Sequence, residues 1–255
     1  MAELLILGSA PGFPVLERGH SSAILDTGKH RLLIDAGEPC SRSMLAQQIQ
    51  ATDIDAVLLT HCHSDHTAGL PMLIQTAWIS GRTKLLPIYL PEELINPLQA
   101  WLDASYIGPK FLQFPLEFFA WESRPSLEQF DLKINPQATS HLDDLVKRFG
   151  PTRFRSYSLR VTHPGFQILV SGDLGSPRDL DAQLREPPDL VVCELAHFEP
   201  EELFRFLRGK NIPRLLLTHL APNLSDQTDQ LLAKARDLLP KTETVVAIDG
   251  MRIRL

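Results

Sequence analysis

The chain has 255 residues, with 25 Lys and Arg against 31 Asp and Glu and a formal net charge of -6. That length gives one large domain or two small ones and suffices for a hydrophobic core; 44% apolar and 22% charged residues exclude wholesale disorder. The acidic balance removes the broad basic surface of a protein that holds nucleic acid by its whole face, and no apolar run approaches the roughly 18 residues needed to span a bilayer.

The N-terminal MAELLILGSAPG carries Glu3 and no basic segment, so it does not read as a signal peptide. Cys40, Cys62 and Cys193 are odd in number and far apart, which points to a reduced, cytoplasmic chain with no disulfide framework. Apolar runs of strand type follow one another: Leu4 to Leu7, Ser22 to Leu25, Arg31 to Ile34, Ala56 to Leu59, Ile88 to Leu90, Gln167 to Val170, Leu190 to Val192, Leu215 to Leu217 and Val245 to Ile248. Most do not alternate, as expected of strands buried on both faces. Helical patterns lie between them. Leu70, Leu73, Ile74, Ala77 and Trp78 share one helix face. A second helix starts near Pro91 and carries Leu94, Leu98, Trp101 and Leu102; a third has Leu203, Phe206 and Leu207, with Gly209 placed to end it. A fourth is expected to begin at Ser225 as N-cap and to run to Pro240. The stretch from about 87 to 136 is rich in Pro and aromatics, among them Trp101, Phe118, Phe119 and Trp121, and reads as a packed insertion or as a pocket wall or subunit contact. The pattern alone gives a single α/β domain over residues 1–255 with a mixed sheet.

The chemistry sits in Thr60-His61-Cys62-His63-Ser64-Asp65-His66, directly after the run AVLL. On a strand, His61, His63 and Asp65 share a face; on a tight loop all four ligand-type residues converge. Imidazole and carboxylate together suit Zn²⁺, Mn²⁺ or Fe²⁺, and desolvating four such groups is costly without a cation to pair them. The competing reading is a polar loop that happens to be rich in histidine. Asp35 after LLID, Asp173 after QILVSGD and His219 after RLLLTH each stand at the C-terminal end of an apolar run, the edge where α/β proteins place their sites.

The motif His61-x-His63-x-Asp65-His66, with His141, Asp173 and His219 downstream, resembles the metallo-β-lactamase superfamily of dinuclear metal hydrolases. Leu7-Gly8-Ser9, Leu33-Ile34-Asp35-Ala36-Gly37, Pro87-Ile88-Tyr89-Leu90-Pro91, Ser171-Gly172-Asp173 and the ending Asp249-Gly250-Met251 are similar to its ribonuclease Z-like branch. The resemblance covers nearly the whole chain. It implies a four-layer αβ/βα sandwich of two mixed β-sheets flanked by helices. It implies two divalent ions, zinc foremost with Mn or Fe also suited: one on His61, His63 and His141, one on Asp65, His66 and His219, with Asp173 and a hydroxide bridging. Asp35 would support the ligand loop.

His163 competes with His141, but it lies in the turn His163-Pro164-Gly165, roughly 20 Å from Asp173 along the strand. His197 follows a strand end in Cys193-Glu194-Leu195-Ala196-His197 and is a candidate proton donor or substrate-orienting group, against a plain loop histidine. His20 and His30 read as loop residues. Asp65 would orient the nucleophile or accept its proton.

Such a site hydrolyses a phosphorus or carbonyl centre. The branch resemblance favours a small or cyclic phosphodiester attacked by a metal-bridging hydroxide. Ribonuclease Z carries a tRNA-gripping arm between the equivalents of His141 and Asp173; here they lie 32 positions apart, enough for a short helix and a hairpin. Together with the net charge, this argues against tRNA as substrate. Lys147, Arg148, Arg153, Arg155 and Arg160 cluster in that interval; Arg153 and Arg155 are candidates for substrate phosphate, against a solvated face. The alternatives are a carboxylic ester, thioester or lactone hydrolase, and, in another class, a non-catalytic metal-binding sensor or interaction module. Redox chemistry at a di-iron site would need an electron-carrier domain for which the chain has no room. Analogy with the branch suggests a homodimer, and the lack of a long apolar run argues for no membrane partner.

Overall fold

A computed structural model of the chain describes residues 2–255. The elements begin with β1 (Glu3–Gly8), β2 (Ser22–Asp26), β3 (Arg31–Ile34), α1 (Cys40–Ala46), β4 (Ala56–Leu58), α2 (Ser64–Thr67) and α3 (Leu70–Ile79). They continue with β5 (Leu86–Leu90), α4 (Glu92–Ala104), β6 (Leu116–Ala120), β7 (Leu127–Gln129), β8 (Leu132–Ala138), α5 (Asp143–Phe149), β9 (Tyr157–His163) and β10 (Phe166–Val170). Then come β11 (Leu190–Leu195), α6 (Pro200–Leu207), β12 (Arg214–Leu220), α7 (Pro222–Ser225), α8 (Thr228–Leu238), β13 (Glu243–Val246) and β14 (Arg252–Arg254). The chain divides into two compact units, Met1–Arg124 with Asp249–Arg254, and Pro125–Ile248 with Leu255. No helix among the described residues is long and apolar enough to cross a membrane.

The first unit holds a seven-stranded mixed sheet in the order β14-β1-β2-β3-β4-β5-β6. β14 to β3 pair antiparallel and β3 to β6 parallel. Its strands carry few polar residues because both faces are buried, as in ELLILG of β1 and LPIYL of β5. On one face, Leu5, Leu33, Val57 and Ile88 pack with Met44 of α1, Leu73 and Ile74 of α3 and Leu98 of α4. The buried positions of α3, Leu70, Leu73, Ile74 and Ala77, are the expected stripe. Each fully buried Leu or Ile contributes about 1.5–3 kcal/mol.

The second unit holds a seven-stranded mixed sheet in the order β13-β12-β11-β10-β9-β8-β7. β10 to β13 are parallel and the remainder antiparallel. Leu169, Val191, Leu215 and Leu217 pack with Leu203, Phe204 and Leu207 of α6 and Leu231 and Ala235 of α8. Gly209 stands just past α6 at φ +83°, a left-handed conformation that glycine adopts without strain.

One reading changes. Ser225 does not cap the long C-terminal helix. Pro222 opens a separate turn, α7, that ends at Ser225, and α8 starts at Thr228 after Gln227. Pro at the first helical position, preset in φ, makes that earlier start. The Pro/aromatic stretch of 87–136 carries regular structure: most of β5, then α4, β6 and β7, and the start of β8.

Candidate metal centre

In the first unit, β3 and β4 run parallel in register, with Ile34 opposite Leu58, so both chains leave the sheet at the same edge. Asp35 follows β3 in a left-handed conformation, φ +54°. Its Oδ1 accepts from the Thr60 N–H at 2.8 Å, and its Oδ2 lies 2.7 Å from His66 Nδ1. A carboxylate only accepts, so His66 carries its proton on Nδ1 and presents the Nε2 lone pair on the other side. The Thr60 hydroxyl lies 3.1 Å from His61 Nδ1 and 3.0 Å from Asp35 Oδ2, joining the three side chains.

The segment after Thr60 is a tight loop leading into α2, not a continued strand. His61 stands 4.7 Å from the His63 ring and 4.1 Å from the His66 ring, centroid to centroid. Asp65 Oδ2 lies 3.5 Å from His66 Nε2. His61 is fully buried and His66 nearly so. The loop is held from below. A Cβ on Gly37 would stand 2.3 Å from the Asp65 carbonyl, so only glycine admits that approach. Trp121, fully buried, donates from Nε1 to the Leu59 carbonyl at 2.9 Å and stacks on Tyr89. Sequence reasoning gave Trp121 no such role.

In the second unit, Asp173 leaves the end of β10. Its Oδ2 lies 3.6 Å from His141 Nε2 and 4.0 Å from His197 Nε2; its Oδ1 lies 3.8 Å from His219 Nε2. All three separations exceed a hydrogen bond. His141 and His219 each stand with Asp173 among residues whose ligand atoms lie close enough to hold a metal ion, in two separate groups, and His197 falls in neither of these.

A β-bulge places His219. Glu194 pairs with Thr218 and Leu195 with Leu220, so His219 is the extra residue, and it sits at φ +50°. Bulges re-aim a side chain next to sites, and strained backbone collects there. His197 is held by Glu194, whose Oε1 lies 2.8 Å from Nδ1. The buried Glu194 also accepts from the N–H groups of Leu174 at 3.0 Å and Ala196 at 2.7 Å. That fixes the His197 ring with Nε2 towards Asp173. Glu194 escaped sequence reasoning; its one signal is an acid three residues before a histidine at a strand end.

The remaining candidates lie elsewhere. Arg153 stands over the Phe154 ring and Arg155 donates to the Pro151 carbonyl, both on the exposed segment after α5. Arg160 donates to the carbonyls of Gln183 and Glu186 and to the Gln167 side chain, and burial lowers its pKa. His163 accepts from the Gly165 N–H in its turn and stacks on Phe166. His20 lies 2.8 Å from the Pro11 carbonyl and His30 3.5 Å from Asp55.

A family model described as the beta-lactamase superfamily domain matches residues 30–236. The chain belongs to the metallo-β-lactamase superfamily. Its two mixed sheets flanked by helices are the metallo-β-lactamase fold. Among superfamily members, the ribonuclease Z of Methanopyrus kandleri is 28% identical over 98% of this chain and 96% of its own. The metallo-β-lactamase fold protein YhfI of Bacillus subtilis superposes with a TM-score of 0.79 at 22% identity, over 99% of this chain and 98% of that one. A diphosphatase of the PhnP family superposes with a TM-score of 0.71 at 18% identity, over 99% and 96%.

Proposed function

We propose that the chain is a dinuclear metal-dependent phosphodiesterase that hydrolyses a small or cyclic phosphodiester. The observation that carries the reading is Asp173, buried, with His141, His197 and His219 turned towards it at 3.6–4.0 Å. In this reading His61, His63 and His141 hold one ion, Asp65, His66 and His219 hold the other, and Asp173 serves both. Zinc suits these donors foremost. Bound divalent ions supply Lewis acidity at a phosphoryl oxygen and lower the pKa of a water towards neutrality.

The protein's own groups do the rest. Asp35 fixes the His66 tautomer, and Asp65 accepts the proton of the attacking water. Glu194 holds the His197 Nδ1 proton, so that Nε2 faces forward and, when the ring is the doubly protonated imidazolium, delivers its second proton to the leaving oxygen. The ribonuclease Z relative supports a phosphodiester, and the diphosphatase neighbour supports a small one. The interval between His141 and Asp173 supports the same choice, being filled by α5 and the β9–β10 hairpin with no arm. The cleft beside His141 and His197 is about 370 Å³ in volume, and its rim carries Asp143 and the ion pair of Asp144 with Lys147. Buried, unpaired Cys40 and Cys193 suit a reducing, cytoplasmic setting.

The test is the metal content of the purified chain together with turnover of bis(p-nitrophenyl) phosphate, for wild type and Asp173→Ala. Two metals per chain and a rate abolished in the variant are expected. Two metals without phosphodiesterase turnover would transfer the reading to carboxylic ester, thioester or lactone substrates. A chain that takes up no metal on reconstitution would be a binding module.

A further inference from the structure

We infer that Asp179 is a positioning residue: its carboxylate sets the spacing of His141 and Asp173, and with it the affinity of the metal position that uses both. The inference rests on the metal-centre reading above. Asp179 lies in a 3-10 turn, Pro177–Leu180, six residues past Asp173. Its Oδ2 accepts from the Ser140 N–H at 3.0 Å and the Gly175 N–H at 2.9 Å, and its Oδ1 from the Ser140 hydroxyl at 2.9 Å. Ser140 immediately precedes His141, and Gly175 follows Asp173 by two. One carboxylate therefore grips both segments that carry these donors.

The approach it holds is close. A Cβ on Gly175 would lie 2.3 Å from the Ser140 hydroxyl oxygen and 2.6 Å from the Ser140 carbonyl, so the two segments touch backbone to backbone. Two hydroxyls strengthen the seam, Thr139 and Ser156 donating to the Asp173 carbonyl at 2.9 and 3.2 Å. Of these groups only Asp179 is charged, and charge-assisted bonds to backbone N–H are roughly twice as strong as neutral ones. His141 Nε2 and Asp173 Oδ2 stand 3.6 Å apart across this seam.

The competing role is local: Asp179 also completes a capping box with Ser176, accepting from the Ser176 N–H at 3.4 Å while the Ser176 hydroxyl accepts from Arg178 N–H. The two roles separate by substitution. Ser176→Ala removes the cap and leaves the bond to Ser140. Asp179→Ala removes both. Asp179→Asn keeps one oxygen for the two N–H groups and places an amide opposite a hydroxyl that can accept.

The experiment is zinc competition against a chromophoric chelator, on metal-free full-length chain, for wild type and these variants. Asp179→Ala is expected to weaken the zinc position that uses His141 about 10–100-fold and the other, which shares only Asp173, by far less. Asp179→Asn should stay within about threefold of wild type, and Ser176→Ala should match it. Should Asp179→Ala fail to fold, Ser140→Ala carries the test, with a loss of about threefold at the same position. Equal affinities in Asp179→Ala and wild type would overturn the inference, as would an equal loss in Ser176→Ala or an equal loss at both positions. Wild type that binds no zinc would remove the metal-centre reading itself, an outcome visible before any variant is compared.

Discussion

At the scale of single residues, the reach of the site is set by what each donor is bonded to behind it. His66 is backed by Asp35 and His197 by Glu194, each through Nδ1 at 2.7–2.8 Å. The second pair gives a sharp expectation. A phosphodiester with an alkoxide leaving group needs a proton delivered to the departing oxygen, whereas p-nitrophenolate leaves without one. His197→Ala is expected to lower kcat on an alkyl or ribosyl diester about 10²–10⁴-fold and to change bis(p-nitrophenyl) phosphate turnover by far less. Equal losses on both substrates would show that His197 does not protonate the leaving group. Of the seven residues proposed as donors, four stand out in sequence as one short run and Asp173 and His219 as ends of apolar runs, while His141 rests on the family resemblance. Glu194 was not legible, since nothing in a buried run such as LVVCEL marks which side chain bends back to a histidine three residues on. Nor was the left-handed backbone of Asp35 and His219, which depends on neighbouring strands.

At the scale of elements, the apolar runs were legible as strands because burial on both faces removes polar residues from them. The four parallel strands of each unit then carry their polar C-terminal residues to a common edge, which is why Asp35 and Thr60 meet without being near in sequence. Strands with fewer apolar residues, β7 and β8, left no clear signature: LKINPQA of β8 buries only two of its seven residues. The helix boundary misplaced at Ser225 shows the same limit, since the choice between one helix and two is made by Pro222, separated from the end of β12 by one residue. The turn from β3 to α1 is the element on which the histidine loop rests. Gly37→Ala would drive a Cβ against the Asp65 carbonyl and the His20 backbone. Backbone cannot swing aside as a side chain does, so the expected cost is about 1–3 kcal/mol, read as a lower urea midpoint at unchanged slope. An unchanged midpoint would mean that the loop shifts freely, and the tight packing under Asp65 would lose its structural meaning.

At the scale of the whole molecule, each unit of this acidic chain holds a pair of carboxylates largely out of water. Asp35 and Asp65 stand in one unit, Asp173 and Glu194 in the other, all of them buried or nearly so. Holding carboxylates together out of water without a cation is unfavourable, because each has lost hydration and gains repulsion from its neighbours. The folded metal-free protein therefore carries a cost that, in the proposed reading, divalent ions would relieve, while the unfolded chain would offer them no assembled site. A ligand that binds only the native state at a hundredfold excess over Kd adds about 2.7 kcal/mol per site. For a chain of this length each kcal/mol moves the melting temperature by about 2–4 °C. One filled zinc position should accordingly raise Tm by about 5–10 °C, and EDTA should return it to the metal-free value. The same shift should shrink in Asp173→Ala, which removes the carboxylate assigned to both positions, even though that variant relieves some repulsion in the metal-free state. A wild-type Tm indifferent to zinc and EDTA would mean that the buried carboxylates and imidazoles neutralise one another by proton sharing, and the assignment of a metal centre would fall with it.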